Sequence, residues 1–300
     1  MRLAFAAFAV AATLTAPTFA QSEITPLVSA DWLTANAGAE NLVILDIRDN
    51  IEGTDLGALP YIANSVVAPY ASAGWRTELD GVPGMTPPID EVTALIAGLG
   101  IDDDDHVVIV PWGTDSSEIG GATRVYWTFK YLGHDEVSIL DGGWRQYDAV
   151  GGERVAELAQ PEPALFTVDL QEHLLATTDD VLAALESGIA LVDGRPVEQY
   201  EGQSKSPVVA ALGTIPGAVN IPHSNFYSAD YARFAQPETV AALIEAVGIG
   251  SGEENISFCN TGHWASVAWF GLSEILGNKN SSMYDGSMAE WTQDPSRPIQ

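Results

Sequence analysis

Residues 256–276 read ISFCNTGHWASVAWFGLSEIL, and they join a short apolar run to a helical pattern that begins near Trp264. The apolar run ends at Cys259, the only cysteine of the chain, and a short loop with one glycine follows. This order predicts a strand, a tight loop and the N-terminus of a helix. Backbone N–H groups and the helix dipole favour an anion there and lower the pKa of a thiol. The position therefore suits a reactive thiolate, although a lone cysteine is also typical of a small buried apolar side chain.

The chain begins with the pattern of a secretory signal peptide. Arg2 precedes an apolar core from Leu3 to about Leu14, and small residues flank a cut predicted after Ala20. The apolar core is too short to span a bilayer and no later segment reaches spanning length, so we expect no membrane span. The sequence therefore predicts a soluble protein that is periplasmic or secreted, with residues 1–20 removed and no internal disulfide.

The composition is strongly acidic. Of the 12 lysines and arginines, Arg2 lies in the predicted signal peptide, and the other 11 stand against 41 acidic residues, a net charge of −30. Such a charge disfavours nucleic acid as a partner, and it fits a role in solubility, in salt adaptation or in docking to a partner. The five histidines show no short paired spacing with each other or with Cys259, and no glycine-rich nucleotide motif occurs. We therefore expect neither a metal nor a cofactor.

The two halves of the chain repeat six features in the same order. An Asp-X-Arg sequence at 46–48 recurs at 193–195, and an Asp-Gly pair at 141–142 recurs at 285–286. A repeat of this length indicates a duplicated domain. The predicted organisation is a signal peptide at 1–20, a first domain at 21–150, a linker at 151–176 and a second domain at 177–300.

Both copies alternate apolar strand patterns with helical patterns. Strands are predicted at 42–45, 107–110, 137–140, 189–192, 256–258 and 282–284. Helices are predicted at 28–36, 90–99, 122–132, 178–187, 237–247 and 264–276. Thr178 is the expected N-cap of the fourth helix. This alternation predicts α/β domains, each with a central parallel sheet covered by helices on both faces. Active sites in such sheets lie beyond the carboxyl ends of the strands, where Cys259 stands.

Several longer motifs resemble the tandem rhodanese-like sulfurtransferases, a family that includes thiosulfate and 3-mercaptopyruvate sulfurtransferases. The second copy carries LVDGRP (191–196), TIPGAVNIP (214–222), the loop CNTGHW (259–264), called the cysteine loop below, and YDGSMAEW (284–291). The first copy carries VSADWL (28–33) and RVYWTFKYLGHDEVSILDGGW (124–144). The resemblance covers nearly all of the chain after the predicted signal peptide, and it implies two tandem rhodanese-like domains.

The resemblance also implies a mechanism in two half-reactions. Cys259 takes a sulfane sulfur from a small donor, thiosulfate or a mercapto acid, and becomes a persulfide. It then passes the sulfur to a thiol or cyanide-like acceptor, or alternatively to a protein. The loop implied to cradle the persulfide consists of Asn260, Thr261, Gly262, His263 and Trp264. Asp193 and Arg195 support the site, either as a structural salt bridge or, for Arg195, by direct help to an anionic donor.

The first copy has no thiol at the matching place. Val110 stands where Cys259 stands in the second copy, and a longer loop, PWGTDSSEIGGATR (111–124), follows it. No base is arranged near Ser116 or Ser117 that would make either of them a nucleophile. We therefore expect the first domain to be catalytically silent and to form one wall of the cleft.

The cysteine loop departs from the family pattern. Asn260 and Thr261 are uncharged where thiosulfate-type members carry basic residues. Further departures occur at Gln199, Thr214 and Met288. The remaining cations near the site in sequence are Lys205 and Arg233, both in loop-like stretches. The resemblance therefore leaves the sulfur donor undetermined.

Four ring side chains each have two interpretations. His263 is either a cation or proton donor to the leaving group, or a loop residue that faces solvent. Trp264 either forms an apolar wall of the pocket or packs the helix against the core. Trp75 and Trp112 face either the cleft or the core of the first domain.

Other cysteine chemistry is disfavoured. A phosphatase or arsenate reductase loop needs an arginine at the sixth position after the cysteine to grip an oxyanion. Ala265 occupies that position, and residues 260–270 contain no arginine. Three hypotheses remain: a sulfurtransferase, a carrier that holds persulfide for a partner enzyme, and a degenerate scaffold whose cysteine is only buried.

Overall fold

A computed structural model of the protein describes residues 24–49, 60–158 and 160–300. The predicted signal peptide lies outside the described residues. Within these ranges, no helix is both long enough and apolar enough to cross a membrane.

The first half forms a five-stranded parallel sheet and two additional short antiparallel strand pairs. Its strands are β1 (Leu27–Val28), β2 (Leu42–Asp46), β3 (Tyr61–Ile62), β4 (Ser65–Val67), β5 (Thr77–Leu79), β6 (Val82–Met85), β7 (His106–Val110), β8 (Val137–Leu140) and β9 (Arg154–Val155). Its helices are α1 (Ala30–Asn36), α2 (Ile89–Gly98), α3 (Ile119–Tyr131) and α4 (Gly143–Ala149). The parallel sheet has the order β1-β8-β7-β2-β4, and β3 pairs with β9 and β5 with β6 as antiparallel strands.

The second half repeats this architecture. Its strands are β10 (Leu175–Ala176), β11 (Ala190–Asp193), β12 (Val219–Asn220), β13 (Tyr227–Ser228), β14 (Arg233–Phe234), β15 (Asn255–Phe258) and β16 (Ser281–Tyr284). Its helices are α5 (Thr178–Ser187), α6 (Val197–Tyr200), α7 (Pro237–Ala246), α8 (His263–Trp269) and α9 (Ser287–Trp291), and a π-helix (Phe270–Ile275) continues α8. The parallel order β10-β16-β15-β11-β12 is the order of the first sheet, which confirms the predicted duplication.

Helices cover both faces of each sheet. Val107 and Ile109 of β7 pack in the apolar cluster that contains residues of α2 and α3, whereas Val108 and Val110 pack with α1 and α4. This division follows from the alternation of side chains along a strand. In the second sheet, Cys259 continues β15 on the face that α7 and α8 cover. The predicted α/β fold class is confirmed.

The start of α5 differs from the prediction by one residue. The Thr177 hydroxyl accepts the N–H of Asp180 at 3.3 Å, and the Asp180 carboxylate accepts the N–H of Thr177 at 2.7 Å. This reciprocal pair is a capping box. The prediction of Thr178 as the N-cap is therefore wrong: Thr177 is the N-cap, and the Thr178 hydroxyl lies 2.8 Å from the hydroxyl of Tyr284.

Residues 151–176, predicted as a linker, run along the first half before they reach the second sheet. β9 pairs with β3. Further on, the N–H of Ala164 donates to the Ala97 carbonyl, and the N–H of Asp169 donates to the Leu132 carbonyl, both at 2.9 Å. These contacts attach the segment to the ends of α2 and α3. The limits of the two domains stay predictions.

The two halves pack against each other through α3 and α8. The hydroxyls of Thr123 and Ser266 lie 2.8 Å apart at the centre of this contact. The rings of Tyr126 and Phe270 meet edge to face, with centroids 4.9 Å apart. One apolar cluster contains buried residues from both halves, so the hydrophobic core is continuous across the domain boundary.

A buried ion pair also crosses this boundary. Arg124 of α3 pairs with Asp285, which follows β16, and both side chains are buried. The N–H and the hydroxyl of Thr86 each donate to the same Asp285 carboxylate at 2.8 Å. A buried charge that loses its partner is strongly destabilising because nothing else compensates its desolvation. The pair therefore fixes how the halves meet next to the cysteine loop.

Arg124→Met removes the guanidinium and leaves the Asp285 carboxylate with only the Thr86 donors. We expect the free energy of unfolding to fall by about 3–5 kcal/mol. Lys130→Met on the same helix breaks a solvent-exposed pair with Asp135 and is the matched control, with an expected loss of about 0–1 kcal/mol. Urea titration followed by tryptophan fluorescence measures both losses. Equal losses would show that the buried pair contributes no more than a surface ion pair.

Candidate active site

Cys259 lies at the bottom of a cavity between the two domains. It directly follows β15, and only 1% of its surface is exposed. The cavity has a volume of about 350 Å³, and both domains line it. Arg76, Pro83 and Ser117 come from the first domain; Ser206, Val208, Cys259, Asn260, Thr261, His263 and Trp264 come from the second. The thiol is therefore buried, but it borders a space in which a small molecule fits.

Ser287 holds the cysteine loop in place. Its hydroxyl oxygen accepts the N–H groups of Cys259 at 3.0 Å and Gly262 at 3.1 Å, and the hydroxyl donates to the Tyr284 carbonyl at 2.8 Å. Ser287 has a φ of +50°, a left-handed conformation that is unusual for a residue with a side chain. This strained residue joins both ends of the loop to the segment after β16.

Backbone N–H groups at the start of α9 fix the orientation of two peptide groups in the cysteine loop. The N–H of Met288 donates to the Cys259 carbonyl at 3.0 Å, and the N–H of Ala289 donates to the Asn260 carbonyl at 2.9 Å. In a trans peptide the N–H that follows each carbonyl points the opposite way. The N–H groups of Asn260 and Thr261 therefore face away from α9.

Several backbone N–H groups that follow Cys259 in the chain make no hydrogen bond within the described part of the structure. Among the described residues, no protein group accepts the N–H of Asn260, Thr261, His263, Trp264 or Ala265. The last three belong to the first turn of a helix, whose N–H groups have no intrahelical acceptor. Such donors are available to an anion carried by Cys259.

Gly262 is required at the turn of the loop. Its φ is +75°, and a Cβ atom there would lie 2.8 Å from Asp285 Oδ1 and would overlap the Arg124 guanidinium. A side chain is therefore excluded both by the backbone conformation and by the space. The interdomain ion pair packs directly on the cysteine loop.

His263 is neutral and lies between the domains. Its Nε2–H donates to the Ser117 carbonyl at 2.7 Å, so Nδ1 accepts the hydroxyl of Tyr70 at 3.0 Å. Burial, reinforced by the charges of Arg76 and Arg124, lowers the pKa of His263 to about 3. The structure differs from both sequence-based interpretations, because the ring carries no charge and faces the first domain rather than solvent.

Trp264 forms a wall of the cavity. Its Nε1–H donates to the Ser117 hydroxyl at 2.9 Å, and its ring stacks on His223 with centroids 4.4 Å apart. The pocket-wall interpretation is therefore favoured. Trp75 is buried in the core of the first domain. Trp112 packs on the Arg48 guanidinium at 4.6 Å and also borders a second cavity that His263 lines, so it contacts both the interior and the cleft.

The positive charge at the cavity comes from the first domain. Arg76 Nε donates to the Gly84 carbonyl at 2.9 Å, and Nη2 donates to the carbonyl and the hydroxyl of Thr261, each at 3.0 Å. The two cations expected from the sequence lie elsewhere. Lys205 donates to the Val209 carbonyl, and Arg233 pairs with Asp141 at 3.3 Å.

A family profile described as "Rhodanese-like domain" matches residues 29–149 and 177–294. The chain belongs to the rhodanese family. Thiosulfate sulfurtransferase from Bos taurus is 33% identical over 282 residues, which cover 88% of this chain and 91% of the relative. The resemblance seen in the sequence motifs is confirmed, and the chain is a rhodanese-type sulfurtransferase.

Solved structures of other rhodanese-fold proteins superpose well on the chain. SseA from Escherichia coli, a 3-mercaptopyruvate sulfurtransferase, gives a TM-score of 0.74 at 21% identity, covering 88% of this chain and 98% of that chain. An anaerobic ergothioneine biosynthesis enzyme from Chlorobium limicola gives 0.77 at 20% identity, covering 92% of this chain and 70% of that chain. At these identities the two structures show the shared fold alone.

The aspartate–arginine pairs of this rhodanese are structural in geometry. Arg195 Nε donates to Asp193 at 2.9 Å, Nη2 donates to the Gly213 carbonyl at 2.9 Å, and both charged side chains are fully buried. Asp46 and Arg48 repeat the pair in the domain that has no cysteine. Since the pair occurs without a thiol and Arg195 does not line the cavity, the geometry favours the loop-anchoring role.

Pro111, and not Val110, occupies the position of Cys259 in the first rhodanese domain. Val110 pairs with Asp46 across the sheet, as Phe258 pairs with Asp193. The prediction was off by one residue because β7 and β15 were matched by their sequence ends, whereas the register decides the equivalence. The N–H of Trp144 donates to the Pro111 carbonyl at 2.8 Å, which repeats the contact of Met288 with Cys259.

In the first domain, a carboxylate of the same chain accepts the N–H groups of the loop that corresponds to the cysteine loop. Glu118 accepts the N–H groups of Trp112 at 2.7 Å and of Gly113 at 2.9 Å. Burial raises the pKa of Glu118 to about 7. Within the described part of the chain, no protein group accepts the corresponding N–H groups of Asn260 and Thr261, so the two rhodanese domains differ in the donors that an anion needs.

Four residues of the site were not found from the sequence: Tyr70, Arg76, Ser117 and Ser287. The first three lie in irregular stretches of the first domain, where no periodicity points to a site. Ser287 lies inside the family motif YDGSMAEW (284–291), and that motif was the one available indication.

Ser287→Ala removes the oxygen that accepts two buried N–H groups. We expect the free energy of unfolding to fall by about 1–3 kcal/mol. Ser287→Gly should lose about 1 kcal/mol less, because glycine adopts a φ of +50° without strain. Gly143 already stands at the matching place of the first domain with a φ of +59°. Urea titration measures both variants; wild-type stability in Ser287→Ala would contradict the role given to the hydroxyl.

Proposed function

We propose that Cys259 carries the sulfur in this rhodanese and that the free loop amides hold the resulting persulfide anion. In the first half-reaction the thiolate attacks the outer sulfur of the donor. With thiosulfate, the S–S bond breaks, sulfite leaves with the bonding electrons, and the enzyme keeps one sulfur as a persulfide anion. In the second, cyanide attacks the terminal sulfur, the persulfide S–S bond breaks, and thiocyanate leaves as the thiolate returns.

One observation carries this proposal. The thiol borders the interdomain cavity, and five neighbouring N–H groups have no acceptor among the described residues. Donors that are already oriented stabilise a developing anion at little reorganisation cost, because water does not have to be rearranged around it. The buried position also protects a single thiol from solution oxidants.

The comparison with the bovine enzyme supports thiosulfate as the sulfur donor, since that relative is named a thiosulfate sulfurtransferase. A mercapto acid is the other small donor that the cavity accommodates. With 3-mercaptopyruvate the C–S bond breaks instead, and pyruvate leaves as an enolate that takes up a proton. Both donors carry an anionic group beside the transferable sulfur.

A persulfide carrier with little turnover of small donors is the second candidate. It is favoured by the uncharged Asn260 and Thr261, which give the loop itself no cation to attract an anion. Val208 lines the cavity and is exposed, so an acceptor protein would meet an apolar contact there. In this case Cys259 would load with sulfur but release it only to its partner.

Cys259→Ser should abolish sulfur loading, because a hydroxyl has neither the acidity nor the sulfur affinity of a thiol. After incubation with thiosulfate, intact mass spectrometry should show the gain of one sulfur atom in the wild type and none in the variant. Ser116→Ala is the control and should load normally. Steady thiocyanate production with cyanide identifies the enzyme; stable loading without turnover identifies the carrier. Loading that survives in Cys259→Ser would remove the cysteine from the mechanism.

We also propose that the protein is exported and cut after Ala20. The support is the arrangement of Arg2, the apolar stretch that follows it and the small residues before the cut. The same mass spectra of protein purified from its native cells give the first residue of the chain. A mass that includes residues 1–20 would contradict export with cleavage.

A further inference from the structure

We propose that Arg76 of the first domain recognises the anionic end of the sulfur donor and so determines which donors reach Cys259. This inference rests on the proposed function and names the group that selects its substrate class. The ligand chemistry is an oxygen-bearing anion, the sulfonate-like end of thiosulfate or the carboxylate of a mercapto acid. Arg76 thereby supplies across the domain boundary the charge that the cysteine loop lacks.

The guanidinium is oriented by the protein and still has donors to spare. Nε is held by the Gly84 carbonyl at 2.9 Å, and Nη2 is held by the carbonyl and hydroxyl of Thr261 at 3.0 Å. Among the described residues, no carbonyl or carboxylate accepts from Nη1. A planar guanidinium fixed on two nitrogens presents its third nitrogen at a defined position, which suits recognition of an oxyanion.

Among the described residues, Arg76 is the one cationic side chain on the cavity wall. Apart from the reactive Cys259, the other lining residues are neutral, and His263 stays neutral because burial lowers its pKa to about 3. No carboxylate borders the described part of this cavity, so the Cys259 thiolate is the one group there that would repel an anion. In a partly desolvated space a single cation acts on an anion more strongly than it would at the surface.

Arg76 is also unusual among the cations of this acidic chain. Of the eleven lysines and arginines in the described residues, eight lie within 4.0 Å of a carboxylate that is also among the described residues. The three that do not are Arg76, Arg145 and Lys205, and only Arg76 lines the cavity. With a formal charge of −29 the chain repels anions over most of its surface. A cation left without a carboxylate beside the thiol is therefore placed for an external anion.

A purely structural role for Arg76 must be separated from donor recognition, because its Nη2 also holds Thr261. Iodoacetate and iodoacetamide make the separation. Both alkylate the Cys259 thiolate with loss of iodide, and they differ only in whether the reagent carries a carboxylate or a neutral amide. The chain has one cysteine, so the reaction is read at a single site. The ratio of the two rate constants reports recognition of an anion and cancels changes in thiolate content.

In Arg76→Gln we expect the iodoacetate-to-iodoacetamide ratio to fall about tenfold or more, because one charge-assisted hydrogen bond is lost. The KM for the donor in use, thiosulfate or 3-mercaptopyruvate, should rise by a similar factor with kcat little changed. Assays with each donor separately show which of the two anions Arg76 serves. The wild-type ratio should decline with added salt, and that of the variant should not.

Two further variants separate recognition of the anion by Arg76 from a general loss of charge and from a loss of the contact with Thr261. Arg145→Gln removes the same charge from the same domain, from an exposed side chain that donates to the Ala229 carbonyl at 3.4 Å, and should leave the ratio unchanged. Thr261→Val removes a hydroxyl acceptor of Arg76 but keeps the charge, and should change the ratio little. An unchanged ratio in Arg76→Gln, or an equal fall in Thr261→Val, overturns the inference.

The ratio of the two alkylation rate constants does not depend on sulfur transfer. Anion recognition by Arg76 and sulfur transfer by Cys259 are therefore tested independently. Loss of sulfur loading with a ratio that still depends on Arg76 would contradict the proposed function and support anion recognition. Normal loading with a ratio that ignores Arg76 would do the reverse.

Discussion

The candidate active site depends on the way the segment after β16 holds the carbonyls of the cysteine loop. The Ser287 hydroxyl oxygen accepts two N–H groups of the loop. The N–H groups of Met288 and Ala289 donate to the carbonyls of Cys259 and Asn260. Because peptides are planar and trans, tying down the carbonyls also directs the amides. The free donors near the thiol are thus a consequence of hydrogen bonds made on the other side of the loop. The left-handed conformation of Ser287 is the strain that accompanies this arrangement.

Duplication has divided the work between two similar domains. The first domain keeps the strand order, the buried aspartate–arginine pair and the turn at Gly143, but it places Pro111 at the position of the thiol and lets Glu118 occupy the loop amides. The first domain also contributes side chains around the cavity that borders Cys259 of the second domain. Through Arg76, Ser117 and Tyr70 it supplies a charge, a hydroxyl and a phenol that orient residues of the cysteine loop.

The interface between the domains is therefore part of the site. Arg124 packs on Gly262 and pairs with Asp285, and the Thr123–Ser266 contact lies one helical turn from His263. A continuous apolar core surrounds these polar contacts, which keeps water away and makes each hydrogen bond matter more. The neutrality of His263 follows from this setting, since burial between two domains and two nearby arginines disfavours a further positive charge.

The sequence by itself determined the local elements, the duplication, the α/β class and the placement of Cys259 and its loop at the end of a strand. Periodicity, strand length and a motif that is contiguous in the chain are all local properties, and they predict local structure well. Two of the errors were local: the cap at Thr177 and the register of Pro111 were each missed by one residue. Only the tertiary structure decided which side chains from the first domain reach the thiol. Arg76 and Ser117 lie more than a hundred residues from Cys259 in the chain and follow no period, so nothing but the packing of α3 on α8 brings them to it.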